Sequence, residues 1–212
     1  MEPIWGFDLG GTKIEGVILK SKDEPNNIIA RMRVPTEKTK GYDHIIGQIG
    51  LLVNNLKEAT GLTPTRIGLG TPGALDPITQ THKNSNTTAI NGMPFKRDLE
   101  KALGISFEMA NDANCFAIGV HKYGVGRPFK NLVGITLGTG TGGGIVINGQ
   151  LYSGVNSAAG EWCSAPYLDQ NFEYYCSGKF FENFYNSRPK ALAKQAMLGD
   201  PVAIRAFEEF GH

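Results

Sequence analysis

The sequence predicts an α/β fold in two domains, residues 1–112 and 113–212, with the second domain incomplete or completed by a partner. Three observations carry that expectation. First, residues 6–19 (GFDLGGTKIEGVIL) and 134–147 (GITLGTGTGGGIVI) match at an offset of 128, with Gly6/Gly134, Leu9/Leu137, Gly10/Gly138 and Gly16/Gly144 identical. Each copy is an apolar run, a glycine-threonine turn and a second apolar run, the pattern of two strands in a tight hairpin. Second, strand and helix signals alternate through the first half of the chain. Third, after Gly149 the pattern turns mainly helical and leaves the second half only two clear strands, and a two-stranded sheet is marginal alone.

Taken in order, residues 4–10 and 13–20 form the first hairpin, 21–27 a polar turn and 28–35 a third strand. Across 42–60, Ile45, Ile46, Ile49, Leu52, Val53 and Leu56 recur at helical spacing, and Gly61 stops the helix. Residues 66–70 read as a short buried strand broken by Thr71-Pro72-Gly73. The stretch 74–94 is rich in Thr, Asn, Pro and Gly and reads as a long loop, a length that often signals function. A helix at 95–103 ends at Gly104, and a strand at 105–110 leads to Asn111-Asp112. These open a helix with Ala113, Phe116, Ala117 and Val120 on one face. Residues 123–128 form a flexible joint before the second hairpin. Helices follow at 179–186, 190–198 and 202–210, the last with Asp200 as N-cap and Pro201 at its first position.

Composition narrows the function. Lys plus Arg number 21 against 20 Asp plus Glu, and no basic run interleaves with aromatics, which argues against a nucleic-acid surface. The start MEPIWGFDLGG lacks a basic and apolar leader, and the apolar stretch 132–147 is too broken by glycine to cross a membrane. Cys115, Cys163 and Cys176 have no paired spacing and read as reduced thiols in a cytoplasmic protein.

The chemistry gathers at the glycine turns. A tip of Gly and Thr leaves backbone N–H groups bare for phosphate oxygens, and two such tips would clamp a polyphosphate. The candidates are Gly10, Gly11, Thr12 and Lys13, with Gly138, Thr139, Gly140 and Thr141. Asp8, beside the first tip, calls for a cation between carboxylate and phosphate; Mg²⁺, which takes few carboxylates, fits, as does a plain turn cap. Lys13 reaches for phosphate or, on an edge strand, is simply solvated. Asp112 by pattern alone is an N-cap. Its functional reading is a general base for an attacking hydroxyl, with Asn111 bonding a neighbouring hydroxyl. Glu161, in AAGEW, suits two vicinal hydroxyls or a helix start. The four histidines show no metal-ligand spacing.

Together these residues resemble the ROK family of sugar kinases and sugar-responsive repressors, within the hexokinase/actin superfamily. The resemblance rests on DLGGTK (8–13), GTPG (70–73), NSN (84–86), NDAN (111–114), LGTGTGGGIVINGQLYSG (137–154) and AAGEW (158–162). It implies two actin-like, ribonuclease-H-like domains around a cleft and a glucokinase-like activity: phosphotransfer from ATP, with Mg²⁺, to a hydroxyl of a hexose or N-acetylhexosamine. It also implies phosphate loops at 10–13 and 138–141, Asp112 as catalytic base and sugar contacts at Asn111, Asp112 and Glu161, with Asn86 and Glu182 added by looser matching.

Three departures stand out. The family's E-x-G-H reads Glu161-Trp162-Cys163-Ser164. Its zinc loop shrinks to a stretch from Cys176 to Glu182 with one cysteine, so no structural zinc, which needs four ligands, is expected. The segment that cradles adenosine in the family lies beyond His212, so ATP is expected to be held weakly, through screened phosphate contacts. The alternatives are a sugar-binding regulator without catalysis and an actin-type ATPase; only three residues precede Ile4, which leaves no room for a helix-turn-helix. The expected partner is a small-molecule sugar, and a homodimer is left open.

Overall fold

The computed structural model describes residues 2–24 and 26–211. They fall into two compact units, one running to Cys115 and taking in Gly154–Ala158, the other made of Phe116–Ser153 and the chain from Ala159 onward. The changeover comes just past residue 112, inside the helix that Asp112 opens.

In the first unit β1 (Ile4–Leu9), β2 (Lys13–Leu19), β3 (Ile28–Pro35), α1 (Tyr42–Thr60), β4 (Arg66–Thr71), β5 (Ala74–Leu75), β6 (His82–Lys83), α2 (Phe95–Leu103) and β7 (Ser106–Asn111) follow in order. The five-stranded sheet runs β3-β2-β1-β4-β7, antiparallel across its first three strands and parallel from β1 to β4 and β7. Period-two alternation turns Trp5, Phe7 and Leu9, Ile14 and Ile18, and Ile67 and Leu69 into one core with Phe107. α1 lays Ile45, Ile49, Leu52, Val53 and Leu56 into that core, while Ile46 stays at its margin. The side chains of Leu52 and Leu56 come so close to Gly16 that a Cβ there would lie 2.9 Å from Leu56.

Two expectations change here. β2 is an inner strand, flanked by β3 and β1, so Lys13 at its first position is exposed without lying on an edge. The stretch 74–94 is not plain loop: β5 and β6 pair within it, and a 3-10 turn at Thr88–Ile90 follows. Its hydrogen bonds are local. His82 is buried and its Nε2 donates to the Pro72 carbonyl at 2.8 Å, while Asn91 bonds both the N–H and the carbonyl of Ser85 at 2.9 Å. Side-chain-to-backbone bonds of this kind order a chain that lacks hydrophobic periodicity.

α3 (Asp112–Tyr123) leads into the second unit, where β8 (Leu132–Leu137), β9 (Thr141–Ile147) and the short β10 (Gln150–Tyr152) make an antiparallel sheet in the order β10-β9-β8. β10 adds a third strand to the two expected. On α3, Ala113 and Ala117 are buried, but Phe116 is 45% exposed, so the buried stripe is narrower than its spacing implies. A small hairpin of β11 (Pro166–Tyr167) and β12 (Gln170–Asn171) precedes α4 (Phe172–Tyr175), α5 (Gly178–Tyr185), α6 (Pro189–Met197) and α7 (Pro201–Gly211). Phe180, Phe181, Leu192, Ala203 and Ala206 form their core. Asp200 caps α7 as expected, accepting the N–H groups of Val202 and Ala203 at 2.9 Å.

The matched sequences fold as matched hairpins with different turns. Leu9 lies opposite Ile14, but Leu137 lies opposite Thr141, so the second turn is one residue shorter. Gly16 therefore faces Phe7 across the ladder, whereas Gly144 faces Gly134. Outward from this sheet, Val133, Ile135 and Leu137 of β8 are each more than half exposed.

The first core sets a stability test. Ile49→Ala, at a fully buried site, is expected to cost about 2–5 kcal/mol, against about 0.5 kcal/mol or less for Leu51→Ala on the exposed face of α1. The shift in denaturant midpoint measures both.

Candidate active site

In the first unit the candidate residues collect at the C-terminal ends of the parallel strands. Asp8, near the end of β1, pairs with Gly70 on β4 and with Glu15 on β2. The turn that follows is tightly made. Gly10 N–H donates to the Lys13 carbonyl at 3.0 Å, and Thr36, fully buried, donates its hydroxyl to the Gly10 carbonyl at 2.6 Å and its N–H to the Thr12 carbonyl at 3.0 Å. The N–H groups of Gly11 and Thr12 have no acceptor among the described residues. Lys38 Nζ bonds the Asn86 carbonyl at 3.5 Å and would lie 3.6 Å from a Cβ on Gly11, which puts a cation between this turn and the loop bearing Asn86. Sequence reading missed Thr36 and Lys38, since neither belongs to a glycine motif. Asn86 itself is exposed.

Asn111 and Asp112 divide the labour at the start of α3 differently from the sequence pattern. Asn111, not Asp112, is the cap: its Oδ1 accepts the N–H groups of Ala113 and Asn114 at 2.9 and 3.2 Å. Its Nδ2 donates to the Gly73 carbonyl at 3.1 Å, which leaves one amide hydrogen for a ligand. Gly73 has φ +77 and lies so close to Lys83 and Ser85 that a Cβ would overlap their backbone, so this turn is open to glycine alone. Asp112 accepts the Ala113 N–H at 2.7 Å and its own N–H, and part of its side chain remains exposed.

Surrounding protein raises the Asp112 carboxyl above its ordinary value, against the pull of the Ala113 N–H. Asp8 is raised by desolvation first, then by the charges of Asp112 and Glu15, with Lys13 opposing. Glu15 is itself drawn down, chiefly by its bond from Arg33 and further by Arg31 at 2.8 Å and Lys13 at 3.8 Å. Cys115, one turn along α3, would lie 3.6 Å from a Cβ on Gly70, with Asp8 Oδ1 3.8 Å from the same point. Desolvation, then Asp112 and Asp8, push its thiol up to about 11. A hollow of about 520 Å³ at the other end of this sheet, by Glu2, Trp5 and Arg66, holds none of the candidate residues.

In the second unit the turn 138–141 is clamped by a segment whose role was missed in the sequence. Glu173 accepts the Thr141 N–H at 3.1 Å and pairs with Lys179, the Thr141 hydroxyl bonds the Cys176 carbonyl, and Gly178 N–H bonds the Gly138 carbonyl at 2.7 Å. Gly138 N–H closes on Gly140 at 2.9 Å, so the donors left without an acceptor among the described residues are Thr139 and Gly140. A cavity of about 640 Å³ opens beside this tip, between the apolar side chains of Leu137, Phe181, Pro189 and Phe210, with Glu182, Arg188 and Lys190 also lining it. Glu161 is half-buried at the head of a 3-10 turn, Trp162–Ser164, with Cys163 Sγ 3.8 Å from its Oε2.

Among the described residues no three His, Cys, Asp or Glu side chains gather in a way that could hold a metal ion. The stretch from Glu161 to Glu182 supplies Cys163 and Cys176 and no histidine, where a structural zinc takes four ligands. Mg²⁺ does fit Asp8: a single carboxylate, crowded by a second one at Asp112, next to a turn with free donors is a place where a hydrated cation relieves repulsion.

The ROK family profile matches residues 4–212, and the chain belongs to that family. It is 35% identical over 232 residues to an N-acetyl-D-glucosamine kinase of Vibrio parahaemolyticus, covering 97% of this chain and 75% of that protein. A counterpart of the same name from Pasteurella multocida is 32% identical over 233 residues, with the same coverage. Among solved structures, a ROK family glucokinase from Streptomyces griseus in complex with glucose and AMPPNP superposes with a TM-score of 0.77 at 25% identity, over 98% of this chain and 75% of that one. A ROK hexokinase from Thermus thermophilus also gives 0.77, at 26% identity, over 96% and 72%. The fold is thus that of the ROK hexokinases.

Because Asp8 and Asp112 have raised values in the folded chain, folding favours their protonated forms, and the penalty on stability operates as pH rises through those values. Asp8→Asn and Asp112→Asn are therefore expected to raise the melting temperature near neutral pH. The gain should fade in acid, below the ordinary aspartate value of 3.8, where the native carboxyls are protonated in both states. Melting curves across pH measure this.

Proposed function

We propose that this chain carries ATP-dependent phosphotransfer to a hydroxyl of a hexose or N-acetylhexosamine, a reading supported by the name N-acetyl-D-glucosamine kinase that its curated relatives carry. The observation that carries the reading is Asp112: a carboxylate at a strand-helix junction, relieved of capping by Asn111 and raised above its ordinary value. A base of this kind takes the proton from the sugar hydroxyl as its oxygen closes on the γ-phosphorus. The new O–P bond forms while the bond to the β,γ-bridging oxygen breaks; ADP leaves, and the proton stays on Asp112. The raised value brings the base nearer the working pH, at the expense of its charged fraction in acid.

The other candidates supply positioning and charge, the two contributions that phosphoryl transfer draws on most. Asn86, the remaining amide hydrogen of Asn111 and the Glu161 carboxylate are assigned to sugar hydroxyls. Gly11 and Thr12 in one unit, and Thr139 and Gly140 in the other, offer N–H groups to phosphates, with Lys13 and Lys38 adding positive charge. Gly10, Gly138 and Thr141 keep the turns in shape instead, because their N–H groups are already bonded. Mg²⁺, held by Asp8 and the nucleotide, would neutralise phosphate charge. Glu182 lines the cavity beside the second turn, and we assign it there rather than to the sugar. Against the expectation that phosphate contacts alone hold ATP, that cavity suits the adenine base, since burying an aromatic ring against Leu137, Phe181 and Phe210 yields about 25 cal/mol per Å². The three unpaired cysteines suit a reducing cytoplasm.

Asp112→Asn keeps the shape of the site and leaves the Asn111 cap in place. Turnover is expected to fall about 10²–10⁴-fold with sugar affinity nearly unchanged. Near-normal turnover would mean that Asp112 is not the base. In the parent protein, the rate should be lost in acid through a group titrating above an ordinary aspartate.

If the cavity takes the base, Mg-ATP binds more tightly than Mg-tripolyphosphate, and the gap between them persists at high salt, because apolar burial is not screened. Calorimetry at two salt concentrations measures it. Equal affinities that weaken together would show that phosphate contacts alone hold the nucleotide.

A further inference from the structure

The 3-10 turn that carries Glu161 is laid across β9, and glycines make the fit. The Trp162 ring rests against the bare Cα of Gly143, so closely that a methyl group there would overlap the six-membered ring. Facing it, Gly160 has φ +91, and a Cβ on it would overlap the Gly143 carbonyl. A side chain at either glycine would lift the turn off the strand. Glu161 stands between Gly160 and Trp162, so the two contacts fix its backbone from both sides.

Further contacts hold the same turn. Cys163 donates toward Glu161 Oε2 at 3.8 Å, and burial raises the Cys163 thiol, which keeps it in the donating S–H form. The Ala165 carbonyl accepts the Phe172 N–H at 2.8 Å, and the Tyr167 ring meets Phe172 and Tyr175 edge-on at 5.9 and 5.7 Å. Packing thus closes on this segment from several directions, where the donor set does not fit a zinc staple.

We propose that Trp162 is a positioning residue for Glu161: its ring, seated on Gly143 beside the close backbone approach of Gly160 to the same residue, sets the carboxylate at the sugar hydroxyls without a metal. The inference rests on Glu161 as a sugar ligand. Hydrogen bonds to a charged group carry about 10–100-fold in affinity, so losing the ring that holds Glu161 in place should be visible in sugar affinity while Glu161 itself remains.

The test is calorimetry with N-acetyl-D-glucosamine and D-glucose on the parent chain and its variants. Trp162→Ala and Gly143→Ala are each expected to weaken sugar binding about 10–100-fold, and Trp162→Phe to recover most of the loss. In a Glu161→Ala background, Trp162→Ala should add almost nothing, because a residue acting through a partner has no effect once that partner is gone. Parent protein dialysed against a chelator should keep its sugar affinity. Penalties that add in the double variant, with Glu161→Ala itself weakening binding, would overturn the positioning role alone. Unchanged binding in Glu161→Ala would overturn the sugar reading of Glu161 and the positioning role together. Affinity lost to the chelator and restored by zinc would overturn the metal-free staple.

Discussion

Much of the site depends on how one buried amide is spent. Asn111 is 8% exposed, and three of its hydrogen-bonding positions are used, two N–H groups of α3 on its oxygen and the Gly73 carbonyl on its nitrogen. Each such bond nets about 0.5–1.5 kcal/mol, but a buried partner left unpaired costs about 1–3 kcal/mol, so the arrangement is held more by what its loss would strand than by what it gains. It joins the end of β7, the first turn of α3 and the turn that begins the loop bearing Asn86. With the helix capped by Asn111, the Asp112 carboxylate bonds the Ala113 N–H and its own, neither of which is a capping bond.

The two units keep their glycines for different ends. In the first, Gly16 makes room for α1 to settle onto the sheet, and the large core that results supports carboxylates held in an unfavourable state. In the second, the glycines of β9 leave the strand face bare, and Trp162 occupies the space a side chain would have filled. The strand thereby acts as a seat for a loop. The aromatic residues that follow, from Tyr167 to Phe184, hold the next segment mainly by edge-to-face packing.

Much of this was legible in the sequence. Apolar runs around a glycine turn marked β1 and β2, short apolar stretches marked β4 and β7, helical spacing marked α1, and Asp200-Pro201 marked the start of α7. The repeated glycine turn located both hairpins. The unread parts have physical reasons. β5 and β6 are two residues long and held by His82 and Asn91 through bonds to backbone, which leave no periodic trace. The cap fell to Asn111 rather than Asp112 because Asn and Asp cap about equally well, and one residue of register decides between them. Glu173, Thr36 and Lys38 reach the turns from distant parts of the chain, and no local pattern announces such contacts. The one-residue difference between the two turns is likewise invisible in an alignment that matches their glycines.

The raised thiol of Cys115 has a consequence for how the protein meets oxidants. Peroxides and disulfides react with thiolate, and a group titrating at about 11 holds roughly one part in ten thousand of that form at neutral pH. Burial does most of this, and the two carboxylates beside it, Asp8 and Asp112, add to it by repelling a third negative charge. A sulfur seated beside that pair is therefore kept in its unreactive state first by its desolvation, and oxidative damage there is slow.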